Sequence, residues 1–341
     1  MSDAASESEE IRDRIERDAQ RRRQRRMASP GHALLQLLRL PNIFTAMADV
    51  MMGFLFVQTA SPWRDGPWTP TVWDIVTLTA LLSASGLLYA AGVVLNDVFD
   101  LEIDRRERPD RPLPSGRISV AWARRFGYRL LLLGVAAATA TALTVGHFAP
   151  GAVAALLAVT ILLYDAWLKR TPLGPMAMGA CRALNVLLGM AACDATLRTV
   201  DWLVAGGLGV YVVGVTWFAR NESRQSDRRH LTLATLVITL GMAMIAWLPR
   251  WSDRVIAPIQ RSPGLWYLLV GALGVVIVRR CVAAIVDPGP SRVKMAVTQC
   301  VLSIVMLDAV ACYSMRGVYW ATGILLFWVP ALLAARWIET T

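Results

Sequence analysis

The chain has 341 residues, of which 55% are apolar and 18% are charged. Soluble domains average about 45–50% apolar and about 25% charged residues, so this composition indicates a membrane protein and excludes a mainly disordered, collagen-like or disulfide-stapled secreted chain. The net charge is +10, but the arginines lie between apolar segments, which indicates membrane topology and argues against nucleic acid as a partner. The five cysteines fall in apolar stretches without a CxxC pair, so we expect core or lipid-facing side chains.

A polar segment, residues 1–32, comes first and contains a basic run at 21–26. Because it has no apolar core, it does not resemble a secretory signal peptide. We expect a cytosolic tail, helical or disordered, that is attracted to anionic lipid headgroups. Residues 33–341 would then form one transmembrane domain.

Ten apolar stretches follow, each long enough for a bilayer-spanning helix, which needs about 17–25 residues. Barrel strands are a poor alternative, because the stretches are too long and lack inside–outside alternation, whereas helices satisfy their own backbone hydrogen bonds in lipid. The sequence therefore predicts an all-α, polytopic helical bundle in the membrane. The ten predicted spans are 41–60, 74–96, 126–146, 149–168, 173–193, 202–219, 230–248, 264–283, 295–314 and 318–337.

The basic residues indicate how these spans are oriented. With the N-terminus in the cytosol, 27 of the 35 lysines and arginines fall in cytosolic segments and six fall on the opposite face. Basic residues are enriched in cytosolic loops, so we predict an integral, multi-pass protein with a cytosolic N-terminus. The loops after the second, fourth and sixth spans would lie on the cytosolic side.

Three aspartates follow the second predicted span. Asp97, Asp100 and Asp104 are spaced by three and then four residues, which places them on one face of a helix. Like charges on one face repel each other unless a cation lies among them, and a hard oxygen-seeking ion such as Mg²⁺ is commonly held by one or two carboxylates plus substrate phosphates. A solvated helix end with Asp–Arg pairs is the alternative.

An arginine-rich loop comes directly after these aspartates. Residues 105–119 contain five arginines and three prolines; the prolines stop the helix and stiffen the turn. Arginine binds phosphate oxygens in a bidentate manner. An acidic face for a metal ion beside an arginine loop for phosphate, at the lipid boundary, suits a diphosphate with an apolar tail.

These motifs resemble the first signature of the UbiA superfamily of intramembrane prenyltransferases, and the resemblance covers about residues 35–285. Within the superfamily, the stretch 164–190 is most similar to the branch called EboC. The matching stretches are Asn96-Asp97-x-x-Asp100-x-x-x-Asp104, Arg111-Pro-Leu-Pro-Ser-Gly116, Arg39-Leu-Pro41-Asn42-Ile-Phe44-Thr45, Tyr164-Asp165-x-x-Leu168-Lys169-Arg170 and Gly174-x-x-x-Met178-Gly179-x-x-Arg182.

The resemblance implies a bundle around a central cavity, usually of nine helices, so we expect nine to ten. It also implies that a prenyl diphosphate binds with Mg²⁺ at the cytosolic end and that its prenyl group passes to a second lipophilic, often aromatic, acceptor. Carried onto this sequence, it makes Asp97, Asp100 and Asp104 the catalytic metal ligands. The implied substrate contacts are Asn96, Arg111, Tyr164, Lys169 and Arg170 around the diphosphate, and Arg182 and Asn185 in the cavity.

Two of these basic residues have plainer explanations. A charge near the middle of a span costs about 2.5–3.5 kcal/mol on insertion scales, so Arg182 is expected to face a polar cavity or to pair with a buried acid, Asp49 or Asp308. Lys169 lies four residues after Asp165, and the two could form a simple ion pair instead of a phosphate site.

The segment after the sixth predicted span departs from the family pattern. Family members carry a second acidic motif there, with aspartates four residues apart, whereas Glu222 and Asp227 are five apart, about 140° around a helix. Arg220 and Arg224 are four apart instead, and we predict that one of them faces the acidic cluster and contacts the diphosphate. Asn221 would be a further substrate contact, and Glu222 a further metal ligand.

Two other functions compete with transfer. A non-catalytic membrane protein that binds or carries an isoprenoid or another lipophilic metabolite would fit the altered second motif, whereas the intact first motif favours an enzyme. An ion-coupled transporter would show an inverted repeat with broken helices, and the sequence shows none.

Overall fold

The structure is a computed structural model that describes residues 30–58, 70–193, 196–220, 225–252 and 255–339. These residues form helices and no strands, which confirms the predicted all-α polytopic bundle. Nine long helices dominate it. They are α1 Leu40–Val57, α2 Val72–Phe99, α3 Val120–Ala140, α4 Ala149–Ala166, α5 Gly174–Met190, α6 Thr199–Ala219, α7 Arg228–Ala246, α8 Pro263–Val286 and α9 Pro290–Arg316.

Eight helices in the described part of the chain are long and apolar enough to cross a membrane. Helix α5 has 17 residues, the lower end of the usual range of about 17–25. The tenth predicted span differs, because the chain forms two shorter helices there, α10 Val318–Leu325 and α11 Trp328–Glu339. Pro330 explains the break, since it has no N–H to donate to the carbonyl of Leu326 four residues earlier.

Shorter segments connect the long helices. They are the helices Pro30–Leu38, Leu101–Glu107, Ala142–Val145, Leu248–Trp251 and Ala257–Arg261, and the 3-10 turn Leu168–Arg170.

The long helices form a ring in which each one packs against the next, and α9 closes the ring on α1. Helix α1 also packs against α5 and α11. Its apolar window is 61% buried, against 22% for α8. The lipid-facing side of the bundle therefore lies at α8, while α1, α2, α4 and α5 surround the interior.

Helices α1 and α5 cross at very short range. A Cβ atom added to Gly53 would overlap the carbonyl oxygen of Val186, and one added to Gly189 would overlap the carbonyl oxygen of Val50. Small residues let membrane helices approach closely, which strengthens van der Waals contact where the hydrophobic effect cannot drive association. This crossing holds α1 firmly against one wall of the interior.

Candidate active site

The aspartate motif lies where α2 ends. Helix α2 stops at Phe99, and the chain turns at Asp100, with φ −93° and ψ 6°, into the short helix Leu101–Glu107. Asp97 and Asp104 are both 5% exposed. The three carboxylates therefore stand on two helices joined by a turn, and not on one continuous helical face as their spacing predicts.

Arg111 connects two of these carboxylates. Its guanidinium lies 2.7 Å from Asp104 Oδ2 and 3.6 Å from Asp97 Oδ1. The proline-rich loop turns back on itself through a hydrogen bond from the Ile118 N–H to the Pro112 carbonyl, 3.1 Å long. This turn holds the loop beside the end of α2 and brings Arg111 to the carboxylates.

Arg39 is a further cation at this place that the sequence argument did not assign to the site. Its guanidinium donates to Asp97 Oδ1 at 2.9 Å. Its backbone has φ 45°, the one non-glycine residue with positive φ in the described part of the chain, and such a conformation costs on the order of 1–3 kcal/mol. The sequence does single out this residue, because Arg39 is the one lysine or arginine between residues 27 and 63.

Asp100 is held from the other side by the turn between α4 and α5. Lys169 Nζ lies 2.8 Å from Asp100 Oδ2 and donates to Asn96 Oδ1 at 2.9 Å. Arg170 lies 3.7 Å from Asp100 Oδ1 and donates to the Phe99 carbonyl at 3.3 Å. Lys169 thus reaches across to α2 and leaves Asp165, its expected partner, without a hydrogen bond to Oδ2.

We call these seven charged residues the rim cluster: Arg39, Asp97, Asp100, Asp104, Arg111, Lys169 and Arg170. Four cations meet three carboxylates, and Asp165 also interacts with Lys169 and Arg39; the four basic groups can donate to an anion that binds here. No three His, Cys, Asp or Glu side chains in the described ranges form a ready-made metal group. The carboxylates still fit Mg²⁺, which commonly takes only one or two protein carboxylates and completes its shell with phosphate and water.

A cavity of about 230 Å³ opens beside the rim cluster. Arg39 and Asn96 line its mouth, and α2 and α4 supply much of its apolar wall, including Leu88, Leu157 and Ile161. Sites for lipophilic ligands combine such an apolar wall with a few placed polar groups. Here the polar side chains that line it are Ser85, Tyr89, Tyr164, Asp165, Arg182 and Asn185.

Two of these polar side chains, Ser85 and Tyr89, were missed by sequence analysis. They precede Asn96 by eleven and seven residues, and residues at i, i+4 and i+11 share one helical face. A polar stripe along an apolar helix was therefore readable, although it did not show which side of α2 faces the interior.

A second charged group lies deeper in the bundle, and we call it the inner cluster: Asp49, Arg182, Asn185 and Asp308. The Arg182 guanidinium donates to Asp49 Oδ2, and also to Thr45 Oγ1 at 2.8 Å. Asn185 donates to Asp49 Oδ2 at 3.1 Å. Arg182 therefore lines the cavity and also pairs with a buried acid, so both of the explanations considered for this residue are realised.

Asp308 completes the inner cluster from α9. Its side chain is 0% exposed. It interacts with Asp49 through a hydrogen bond between the two side chains, and with Arg182 through charge. The inner cluster therefore contains two carboxylates for one guanidinium.

The altered second motif is only partly described. Arg220 ends α6 as an exposed residue, and its side chain makes no ion pair within the described part of the chain. The cations that contact the three aspartates come from other elements. Asn221, Glu222 and Arg224 lie outside the described residues, so their roles, and a cation from α6 facing the rim cluster, stay predictions.

Comparison with known proteins decides the family. The profile of the UbiA prenyltransferase family matches residues 50–292. The chain belongs to this family. The match includes the three aspartates, Arg111, Lys169 and Arg182, whereas Arg39 and Asp308 lie outside the matched range. The assignment to the EboC branch stays a prediction.

Two curated relatives of this UbiA family member are digeranylgeranylglyceryl phosphate synthases. It is 34% identical over 160 residues to a digeranylgeranylglyceryl phosphate synthase of Methanoculleus marisnigri, covering 47% of this chain and 51% of the relative. It is 30% identical over 198 residues to the synthase of the same name from Methanoregula boonei, covering 58% and 67%. The chain thus spans about half the length of the first of these relatives.

Solved structures share the fold of this UbiA family member. A UbiA homolog from Archaeoglobus fulgidus bound to GPP and Mg²⁺ superposes with a TM-score of 0.59 at 14% identity, covering 86% of this chain and 99% of the other. A digeranylgeranylglyceryl phosphate synthase structure gives a TM-score of 0.55 at 20% identity, covering 89% and 99%. At these identities the likeness concerns the architecture of the bundle.

Proposed function

We propose that this protein transfers a prenyl group from a prenyl diphosphate to a lipophilic acceptor inside the membrane. The observation that carries the proposal is the position of the rim cluster at the mouth of an apolar cavity. A prenyl diphosphate has the same division, with a strongly anionic head and an apolar tail. The head would lie in the rim cluster and the tail in the cavity.

In this proposal the diphosphate takes over the cations of the rim cluster. Arg39, Arg111, Lys169 and Arg170 each hold a carboxylate in the free protein and would donate to phosphate oxygens when the substrate binds. Asp97, Asp100 and Asp104 are then free to hold Mg²⁺. The ion, when bound, offsets the negative charge that develops on the departing diphosphate.

The reaction begins with cleavage of the bond between the prenyl C1 carbon and the diphosphate oxygen, and the electron pair leaves with the diphosphate. Cations fixed around the departing head stabilise this charge separation without having to reorganise. The apolar wall keeps water away from the prenyl cation, since water would capture it before the acceptor does. Asn96 and Tyr164, which line the cavity, would hold the donor at the boundary between head and tail.

The acceptor is open to a finer proposal. The resemblance predicts an aromatic acceptor, whereas the curated relatives are named for a glyceryl phosphate product. These names favour an acceptor in which a hydroxyl on a glyceryl phosphate lipid attacks the prenyl C1 carbon. We therefore choose a hydroxyl acceptor, and Arg182 and Asn185 are the cavity residues proposed to contact it.

The proposed site lies on the cytosolic side of the membrane. The rim cluster is built from the start of α1, the end of α2 and the turn between α4 and α5, which the distribution of basic residues assigns to the cytosol together with the N-terminus. Cysteine labelling from each side of sealed vesicles would test this orientation. Glu107 is a suitable position for the introduced Cys, because it is exposed at the end of the short helix that carries Asp104.

The test of the reaction uses purified protein in proteoliposomes. Labelled geranylgeranyl diphosphate and Mg²⁺ are supplied with geranylgeranylglyceryl phosphate as acceptor, and diphosphate and lipid product are both measured. We expect both products at equal rates, and neither from the Asp97→Asn plus Asp104→Asn variant. Tight donor binding without release of diphosphate would reject the transferase and support the second candidate, an isoprenoid carrier, which the missing four-residue acid spacing after α6 favours.

A further inference from the structure

We propose that Asp165 is the general base of the transfer, accepting on its carboxylate the proton that the acceptor hydroxyl loses. The inference rests on the proposed prenyl transfer and adds a catalytic residue to it. Asp165 is outside the acidic motif that suggests the metal site, and sequence analysis gave it only the role of a partner for Lys169.

The position of Asp165 along α4 is the first argument. Leu157, Ile161 and Asp165 all line the cavity, and their spacing of four places them in one row along the helix. Helix α4 ends one residue later, at Ala166, and Lys169 of the rim cluster lies in the turn that follows. Asp165 therefore marks the point where the apolar wall changes to the charged rim.

That boundary is also where the chemistry must occur. A prenyl diphosphate changes from apolar tail to anionic head at its C1 carbon, so a donor that lies with its head in the rim cluster places C1 beside Asp165. An acceptor oxygen that attacks C1 must lie at the same level of the cavity. A base must be within hydrogen-bond reach of the proton that it removes.

The second argument is that the carboxylate is available. Asp165 is 2% exposed, and its Oδ2 has no hydrogen-bond partner. Lys169, in the turn after α4, interacts with Asp165 through charge, but its ammonium group is held by Asp100 and Asn96, at 2.8 Å and 2.9 Å. A buried acceptor without a donor is unfavourable, and a substrate hydroxyl in the cavity would supply a donor to this carboxylate.

The other side chains around the cavity are poorer bases. Asp165 is the one carboxylate among the described cavity-lining residues. Asn185 and Ser85 are bonded to each other at 2.9 Å, and an amide does not accept a proton under these conditions. Tyr89 and Tyr164 carry phenol groups, which have to lose their own proton before they can act as a base.

The complete step breaks one C1–O bond, forms another and moves one proton. The C1–O bond of the donor breaks, and its electron pair leaves with the diphosphate. A lone pair of the acceptor oxygen forms the new C1–O bond, and the proton of that hydroxyl passes to the Asp165 carboxylate. The step needs neither an oxidant nor a reductant.

The experiment separates the two halves of the reaction in the Asp165→Asn variant, reconstituted in proteoliposomes. Donor binding is measured with labelled geranylgeranyl diphosphate, and transfer with geranylgeranylglyceryl phosphate. We expect unchanged donor affinity and a transfer rate at least about 100-fold lower, since positioned bases contribute about 10²–10⁴-fold. Asp165→Glu, which keeps a carboxylate, should recover part of the rate, and Asp287→Asn is the matched surface control, with its side chain 67% exposed.

An acceptor series supplies the readout that a merely structural role would not move. When the attacking hydroxyl is made more acidic by neighbouring fluorine atoms, the defect of Asp165→Asn should shrink, because a weaker base then suffices. Normal transfer by Asp165→Asn, an equal loss of donor binding, or a defect that is independent of acceptor acidity would each overturn the proposal. If the unaltered protein releases no diphosphate at all, the transferase itself fails, which is a different result.

Discussion

The two charged clusters of this bundle are both built from basic side chains and carboxylates, but they differ in the number of each and in their exposure. In the rim cluster four cations meet three carboxylates, and the basic side chains are between 11% and 54% exposed. In the inner cluster one guanidinium, 11% exposed, meets a carboxylate that is 0% exposed, with a second buried carboxylate beside it. One cluster gathers four cations near the mouth of the cavity, and the other encloses a single cation with two buried acids.

This difference indicates which pairs can exchange partners. The basic side chains of the rim lie where an incoming anion can reach them, and the buried Asp97 and Asp104 that they release would need a cation such as Mg²⁺ as a new partner. A buried pair is weakly stabilising as a whole, but the loss of one partner strands a charge in the interior. We therefore interpret the rim cluster as the ligand site and the inner cluster as fixed structure that shapes the cavity wall.

The largest effect is expected from breaking the inner cluster. Asp49→Ala removes the acceptor for both Arg182 and Asn185 and should lower the free energy of unfolding by about 3–5 kcal/mol, the usual cost of breaking a buried pair. Asp49→Leu combined with Arg182→Leu should recover most of this loss. Denaturant unfolding in detergent measures both variants, and equal stability of Asp49→Ala and the unaltered protein would erase the distinction between the clusters.

The next effect concerns the rim and should appear in activity. Asp100→Ala removes a carboxylate of the proposed metal site, leaves the diphosphate charge uncompensated and should reduce transfer about 100-fold or more, the scale seen when one fixed stabilising group of a transition state is lost. Its unfolding midpoint should stay close to that of the unaltered protein, because the carboxylate is partly exposed. Near-normal turnover would contradict the assignment of the rim as the reacting site.

A smaller effect distinguishes two neighbours within the rim. Lys169→Met should weaken binding of geranylgeranyl diphosphate about tenfold or more, since charge-assisted hydrogen bonds contribute about 1.5–3 kcal/mol. Arg170→Met should change it by less than about threefold, because Arg170 is 54% exposed and 3.7 Å from Asp100. Isothermal titration measures both affinities. The reverse order would mean that the donor binds at the outer edge of the rim.

The smallest effect is expected at Asp308. Asp308→Asn leaves one carboxylate for one guanidinium and preserves the shape of the side chain, so stability should change by less than about 1 kcal/mol. Asp308→Leu is the companion variant that removes polarity as well. If Asp308→Asn proved as damaging as Asp49→Ala, the second acid would carry an interaction that the charge count of the inner cluster does not explain.

The sequence predicted the helices better than their packing. Long apolar stretches identify helices directly, because only a helix or a closed barrel satisfies the backbone in lipid, and nine of the ten predicted spans correspond to long helices. The last stretch has the apolar composition of a single span, but composition does not show that Pro330 lacks the N–H that a continuous helix needs. The turn at Asp100 was missed for a similar reason, since spacing alone assumes an unbroken helix.

The site was predicted where its residues are close in sequence. The aspartate motif, Arg111 and the Lys169–Arg170 pair lie within recognisable motifs and meet at the rim. Arg39 and Asp165 were not assigned their places, because those depend on contacts between distant segments, such as the 58 residues that separate Arg39 from Asp97. A local pattern shows that a charge is available, but only the fold shows which partner it meets.

Helix α1 carries a member of each cluster at fixed separation. Arg39 precedes its first turn and Asp49 lies ten residues later, about 15 Å along the axis at 1.5 Å per residue, and the glycine crossing at Gly53 and Gly189 prevents the helix from sliding. Helix α1 therefore fixes the distance between the rim cluster and the inner cluster. A preference for a longer or shorter prenyl chain would therefore have to arise from substitutions on α2 and α4. There the side chains at Leu88, Leu157 and Ile161 can change size without moving the rim cluster.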